Sequence, residues 1–212
     1  MKNLFGLLAK YPEAGKVKTR LAGHIGAEGA AKVYKIIAER VFRDTAPDRD
    51  SDFGRMIFYS PPGGKGRFES WIPGEKLLPQ RGRDIGEIMG NALQDLFERG
   101  ASRAVITGVD IPDLHRAIIS DAFLKLENAD VVIGPAEDGG YYLIGMKVAL
   151  PEIFQGISWS TGKVFDETVR TIERMGLSYS TVMTLSDVDR IADIAKIKDF
   201  KIAPPSSPSA RR

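Results

Sequence analysis

Ala104-Val-Ile-Thr-Gly-Val-Asp-Ile-Pro112 is the stretch from which the architecture follows. Ala104 to Val109 is a short apolar run without a polar face, as expected of a strand covered on both sides in a parallel sheet. Pro112 then opens a helix over Leu114 to Leu126. Working outward, the same alternation recurs. Strands are expected at Asn3 to Lys10, Arg55 to Ser60, Glu75 to Pro79, Ala129 to Ile133 and Tyr141 to Met146, with Ser180 to Leu185 extended. Helices are expected at Ala27 to Thr45, Asp84 to Arg99, Thr161 to Met175 and Asp189 to Phe200. The helix from Asp84 has the clearest pattern: Ile85, Ile88, Met89, Ala92, Leu93, Leu96 and Phe97 follow helical spacing, and Gly100 stands where a C-cap belongs. Ser60-Pro-Pro-Gly-Gly-Lys-Gly66 reads as a loop on turn chemistry. This order predicts a single-domain α/β fold, a doubly wound and mostly parallel sheet, spanning residues 1–202. Residues 203–212, rich in Pro and Ser, are expected to form a disordered tail.

Composition narrows the chemistry. With 30 basic and 28 acidic residues the formal charge is only +2, which argues against general nucleic-acid binding. The chain has no cysteine, so disulfides, thiolate metal sites and cysteine nucleophiles are excluded. A metal must be held by oxygen, or by His24 and His115, which favours a hard cation such as Mg²⁺ or Mn²⁺. No run reaches membrane-spanning length and no signal-peptide pattern opens the chain, so a cytoplasmic location without membrane association is expected.

In doubly wound sheets, ligands bind beyond the carboxyl ends of the strands. Four clusters fall at such ends. Lys10-Tyr-Pro-Glu-Ala-Gly-Lys-Val-Lys-Thr-Arg20 sets Lys10, Lys16, Lys18 and Arg20 against one carboxylate, Glu13, with the backbone freed at Gly15. A cationic, glycine-bearing loop after a strand suits phosphate. Asp110 ends its strand and reads as a metal ligand or a helix cap, the cap falling more naturally to Asp113. Glu137-Asp-Gly-Gly140 offers two carboxylates beside a permissive backbone, or an ordinary Asp-Gly hairpin turn. Beside it Tyr141 and Tyr142 face opposite ways on a regular strand, so one of them faces a ligand. Ser186-Asp-Val-Asp189 places Asp187 and Asp189 on one face if extended, suited to a divalent cation, or else caps a helix. Gln80 and Arg83 precede the helix that Asp84 caps. Trp159 reads as core rather than pocket wall, with Ser160 or Thr161 capping the helix that follows.

Other readings fail. Gly15-Lys16 is followed by Val17 and lacks the first Walker glycine, no G-x-G-x-x-G follows a strand, and neither G-x-S-x-G nor H-E-x-x-H occurs.

Six blocks, Ala9 to Leu21, Gln80 to Met89, Gly108 to Pro112, Gly134 to Tyr142, Ile157 to Thr161 and Leu185 to Asp189, together resemble one bacterial family. Its members are assigned as glycosyltransferases with a GT-A-like, nucleotide-diphospho-sugar transferase fold, of the radical-SAM/selenodomain-associated type. The chain is more distantly similar to 2-phospholactate guanylyltransferases and molybdenum-cofactor nucleotidyltransferases. The last block departs from the pattern, since Arg190-Ile-Ala-Asp193 replaces Thr-Pro-Glu-Asp. The resemblance implies a metal-dependent glycosyltransferase acting on a nucleotide sugar and a small-molecule acceptor. Lys10, Gly15, Lys18, Thr19, Arg20 and Gln80 would then bind nucleotide and phosphate. Asp110, with Asp187 or Asp189, would hold Mg²⁺ or Mn²⁺. Asp110, Glu137 and Asp138 are the catalytic candidates, and Gly139, Gly140 and Tyr141 would meet the acceptor. The alternatives are a nucleotidyltransferase that releases pyrophosphate, favoured by the loop's four cations, and a non-catalytic nucleotide sensor.

Overall fold

The computed structural model describes residues 2–188. The expected helix from Asp189 to Phe200, Asp189 itself and the tail at 203–212 lie outside the described residues. Seven strands, β1 (Asn3–Lys10), β2 (Phe53–Ser60), β3 (Leu77–Pro79), β4 (Arg103–Gly108), β5 (Val131–Pro135), β6 (Tyr141–Met146) and β7 (Tyr179–Thr181), form one sheet in the order β3-β2-β1-β4-β6-β5-β7. All neighbours are parallel except β6, which runs antiparallel to both β4 and β5.

Among the described residues, five helices cover the sheet: α1 (Thr19–Asp44), α2 (Lys65–Trp71), α3 (Ile85–Glu98), α4 (Arg116–Lys125) and α5 (Val164–Arg174). β1 explains why both faces need cover. Phe5, Leu7 and Ala9 enter a core shared with Leu21, Val33, Ile37 and Val41 of α1, while Leu4 enters a second core with Leu93 and Leu96 of α3. Alternate side chains of a strand point to opposite faces, so an apolar β1 demands a helical layer on each. The chain leaves β1 through α1 on one face and reaches β4 through α3 on the other. The carboxyl ends of β1 and β4 therefore meet at the switch point where such folds bind ligands.

Three elements differ from the sequence reading. The expected helix from Ala27 is present, but a short helical segment over residues 19–25 precedes it within α1, the two separated by a break at Gly26 (φ 76°, ψ 161°). The Pro61–Gly66 stretch is not all loop. A 3-10 turn at Pro62–Gly64 leads directly into α2, whose Phe68 is fully buried. The α4 N-cap is His115, without a side-chain cap, so Asp113 does not cap it; Asp113 lies near Arg40 instead, at 3.8 Å. Among the described residues, no helix is long and apolar enough to cross a membrane.

Candidate active site

A cleft of about 750 Å³ opens at the switch point, beyond the ends of β1 and β4. It gathers Lys10, Arg20, Gln80, Asp110, Asp138, Gly140, Tyr141 and Asp187 from five separate segments. Gly15, Thr19, Glu137 and Gly139 are not part of its lining, and Asp189 lies outside the described residues.

The cationic loop divides on folding. Lys10 and Arg20 face the cleft. Lys18 turns behind it in a left-handed conformation (φ 46°, ψ 47°), its side chain 2% exposed and its ammonium 3.0 Å from Asp110 Oδ2. Asp110 thus has a structural partner, contrary to the expectation that it stands free of such a role. Gly15 supplies the loop's other positive φ, 77°. Glu13, the loop's single carboxylate, binds Arg67 of α2 at 2.8 Å, and Arg67 stacks 3.8 Å over the Tyr11 ring. This anchors the loop's first half away from the cleft.

Behind β1, the Tyr34 hydroxyl accepts from the Lys10 N–H at 2.8 Å and donates to the Lys10 carbonyl at 3.1 Å. Burial, then the Asp110 charge, hold this phenol well above its ordinary pKa, so it remains a neutral donor. Gln80 is equally committed. Its Nε2 donates to Ala9 O at 3.2 Å and Phe58 O at 2.8 Å, across the ends of β1 and β2. Only Oε1 is left to meet a ligand, and an amide oxygen accepts. Gln80 therefore suits an N–H or O–H of the ligand, not a phosphate.

The Ala136–Gly140 segment joins β5 to β6 as a tight turn. Ala136 N donates to Gly140 O, Gly139 N to Ala136 O, and Gly140 N to Asp138 Oδ1 at 2.9 Å. The turn and site readings are thus compatible. Gly139 (φ 86°) permits close approach to the Trp159–Gly162 loop: a Cβ there would stand 2.4 Å from Gly162 O. Pairing shifts from Gly134–Leu143 to Pro135–Tyr141, leaving Tyr142 opposite no residue of β5. Both tyrosines nonetheless border the cleft, Tyr142 from the core shared with α1 and Tyr141 from the core shared with α3.

Trp159 is not simply core. It is half-buried, lines the cleft, and meets Tyr141 edge-to-face with centroids 6.4 Å apart. Neither Ser160 nor Thr161 caps α5, whose N-cap is Lys163 without a side-chain cap. Ser160 adopts φ 64° as the loop turns past Gly139, and Thr161 Oγ1 donates to Ser158 O. Sequence reasoning missed Tyr34, which looks like any apolar-face helix residue, and Ile85, which looks like core but is 44% exposed beside Trp159.

Asp110, Asp138 and Asp187 are the carboxylates that line the cleft, and the described residues hold no cluster of three metal-ligating side chains. Two carboxylates fit a hard cation that keeps waters and takes further oxygens from a phosphate.

The architecture and strand-end cleft define the class, a protein of the nucleotide-diphospho-sugar transferase fold. Within it, the model of the DUF2064 family, uncharacterized proteins conserved in bacteria, matches residues 46–161, and the chain belongs to that family. A crystal structure from Desulfovibrio desulfuricans G20, of a protein whose assignment as a nucleotide-diphospho-sugar transferase is itself an expectation, is 35% identical. The match covers 90% of this chain and 84% of that one, with a TM-score of 0.83. A Methanothermobacter nucleotidyl transferase shares the fold at 12% identity, covering 92% and 96% of the two chains with a TM-score of 0.58. CMP:2-keto-3-deoxy-manno-octonic acid synthetase in complex with CTP does so at 11%, covering 93% and 97%, with a TM-score of 0.55. No curated protein matches the chain.

Proposed function

We propose that the chain is a metal-dependent glycosyltransferase that takes a nucleotide-sugar donor and a small-molecule acceptor. The observation that carries this is the division of the cationic loop. Of its four cations, Lys10 and Arg20 line the cleft, while Lys18 is turned to Asp110 and Lys16 is exposed elsewhere. Two cations suit the diphosphate of a nucleotide sugar better than the triphosphate a nucleotidyltransferase would take.

Asp110 and Asp187 would hold Mg²⁺ or Mn²⁺, which would neutralise charge on the departing diphosphate. Lys10 and Arg20 would bind the same phosphates. Gln80 Oε1 accepts from a donor group of the nucleoside. Of the two candidate bases, Asp138 lines the cleft, and its Oδ1 is oriented by Gly140 N–H. It takes the proton of the acceptor hydroxyl as the new glycosidic bond forms and the bond to the diphosphate breaks.

A thermal-shift panel of nucleoside triphosphates and nucleotide sugars, each with Mg²⁺ or Mn²⁺, tests the reading. One or more nucleotide sugars should stabilise the protein clearly. Stabilisation by triphosphates with none by nucleotide sugars would replace glycosyl transfer by nucleotidyl transfer.

A further inference from the structure

The cleft has two unlike halves. Lys10, Arg20, Asp110, Asp187 and Gln80 make one of them polar. The other is apolar: Trp159, Tyr141, Ile85, Met89 and Ile144 share the lining there. Phosphate and a cation account for the charged lining, whereas the apolar lining calls for a part of a ligand with carbon to bury.

The apolar half is built and held. Gly86 leaves room for the indole, since a Cβ at that position would come within 2.8 Å of Trp159 Cζ2. Tyr141 braces the indole edge-on at 6.4 Å. The Tyr141 hydroxyl is buried at its far end, and burial raises its pKa. The cleft therefore meets the ring of Tyr141 and not its phenolic group. Ile85, at the first turn of α3, is left 44% exposed where burial would be expected of an isoleucine. Behind the indole the loop is locked by the close approach of Gly139 to Gly162 and by the positive φ of Ser160. That same contact sets the wall directly beside the Asp138 turn, since a Cβ on Gly162 would lie 3.3 Å from Asp138 O.

We propose that Trp159, Tyr141 and Ile85 form an acceptor subsite for a hydroxyl-bearing molecule with an apolar ring body. The ring packs on the indole while its hydroxyl reaches Asp138. This rests on the transferase reading given above, and extends it to the class of acceptor.

Isothermal titration of the full chain with phenyl glucoside and with glucose tests the proposal, using the phenyl ring as the variable. Phenyl glucoside should bind roughly tenfold more tightly than glucose, as expected when one aromatic ring is seated on another. Trp159→Ala should abolish that preference, and Trp159→Phe should keep most of it. Excess UDP, CDP, GDP or ADP should leave phenyl glucoside binding in place. Equal affinity for the two probes would overturn the proposal. So would displacement of phenyl glucoside by any of the nucleotides, which would make the wall a nucleobase subsite. Separate titrations of the four nucleotides report on the cationic half alone. Their failure would strike the transferase reading, whereas failure of the phenyl preference with a nucleotide still bound would strike only the acceptor subsite.

Discussion

Asp110 carries two duties that its position alone does not separate. It lies two residues past β4 in the cleft lining, and it pairs with Lys18, whose side chain is almost wholly buried while its own is 44% exposed. Replacing it with Asn keeps an oxygen for Lys18 but removes the charge a cation needs. Asp110→Asn should lower metal-dependent turnover by about a hundredfold or more, the scale seen when one preorganised electrostatic group is lost. Its melting temperature should stay near that of the native protein. Asp110→Ala should lose turnover equally and also roughly 2–3 kcal/mol of stability, since it takes the carboxylate from an almost wholly buried Lys18 ammonium. Melting curves and steady-state rates with Mg²⁺ check both. Full turnover in Asp110→Asn would remove the residue from the chemistry and leave it a partner for Lys18. The strand-end position of Asp110 was legible because a strand's end follows from its apolar run. The Lys18 contact was not, because it depends on how the loop folds back across β4.

At the scale of elements, α3 shows what local sequence can specify. Asp84 Oδ1 accepts from Glu87 N at 2.9 Å, and Glu87 Oε2 accepts in return from Arg83 N at 2.9 Å. This is a reciprocal capping arrangement displaced by one residue at its outer end. Asp84→Ala should cost about 1 kcal/mol, read from chemical unfolding. The Glu87 carboxyl is also bound by the Arg83 guanidinium, which with the backbone bond draws its pKa down to about 2. The folded value lies below the unfolded one, so this contribution is present above the ordinary glutamate range and is lost as pH falls from there through about 2. Glu87→Gln should therefore lower stability near neutrality and flatten the acid limb of the stability curve, the two proteins converging as pH falls toward about 2. An unchanged acid limb would show that the pair contributes nothing in solution. By contrast, α2 was hidden because Pro61, Gly63, Gly64 and Gly66 dominate its local chemistry. What stabilises it is remote: Tyr11 meets the Phe68 ring at 5.8 Å and the Trp71 ring at 5.7 Å. Turn residues describe local preference, and here tertiary packing overrides it.

Across the whole molecule, the site depends on a long-range arrangement that no segment reveals alone. The class of fold and the strand-end loops could be read from alternating periodicities, and those loops do converge. Which side chains of each loop face inward could not, because that is settled by contacts between loops distant in sequence. The delivery of Asp187 is the clearest case. After β7 the chain continues beside β5: Val182 N donates to Ile133 O, Leu185 N to Pro135 O, and Glu137 N to Leu185 O. The bulged Tyr142 secures the segment from the neighbouring strand by donating its hydroxyl to Met183 O at 2.8 Å. Removing that donor leaves a carbonyl without its partner four residues before Asp187, at a cost of about 1 kcal/mol. If Asp187 helps hold the cation, part of that cost must appear in metal use. Tyr142→Phe should raise the Mn²⁺ concentration for half-maximal turnover roughly fivefold, the equivalent of about 1 kcal/mol. Nucleotide affinity measured without metal should stay as it was, because Lys10 and Arg20 stand on β1 and α1 and their backbone is positioned there. A loss of stability with no change in the Mn²⁺ response would reduce Tyr142 to a packing role and count against Asp187 as a ligand.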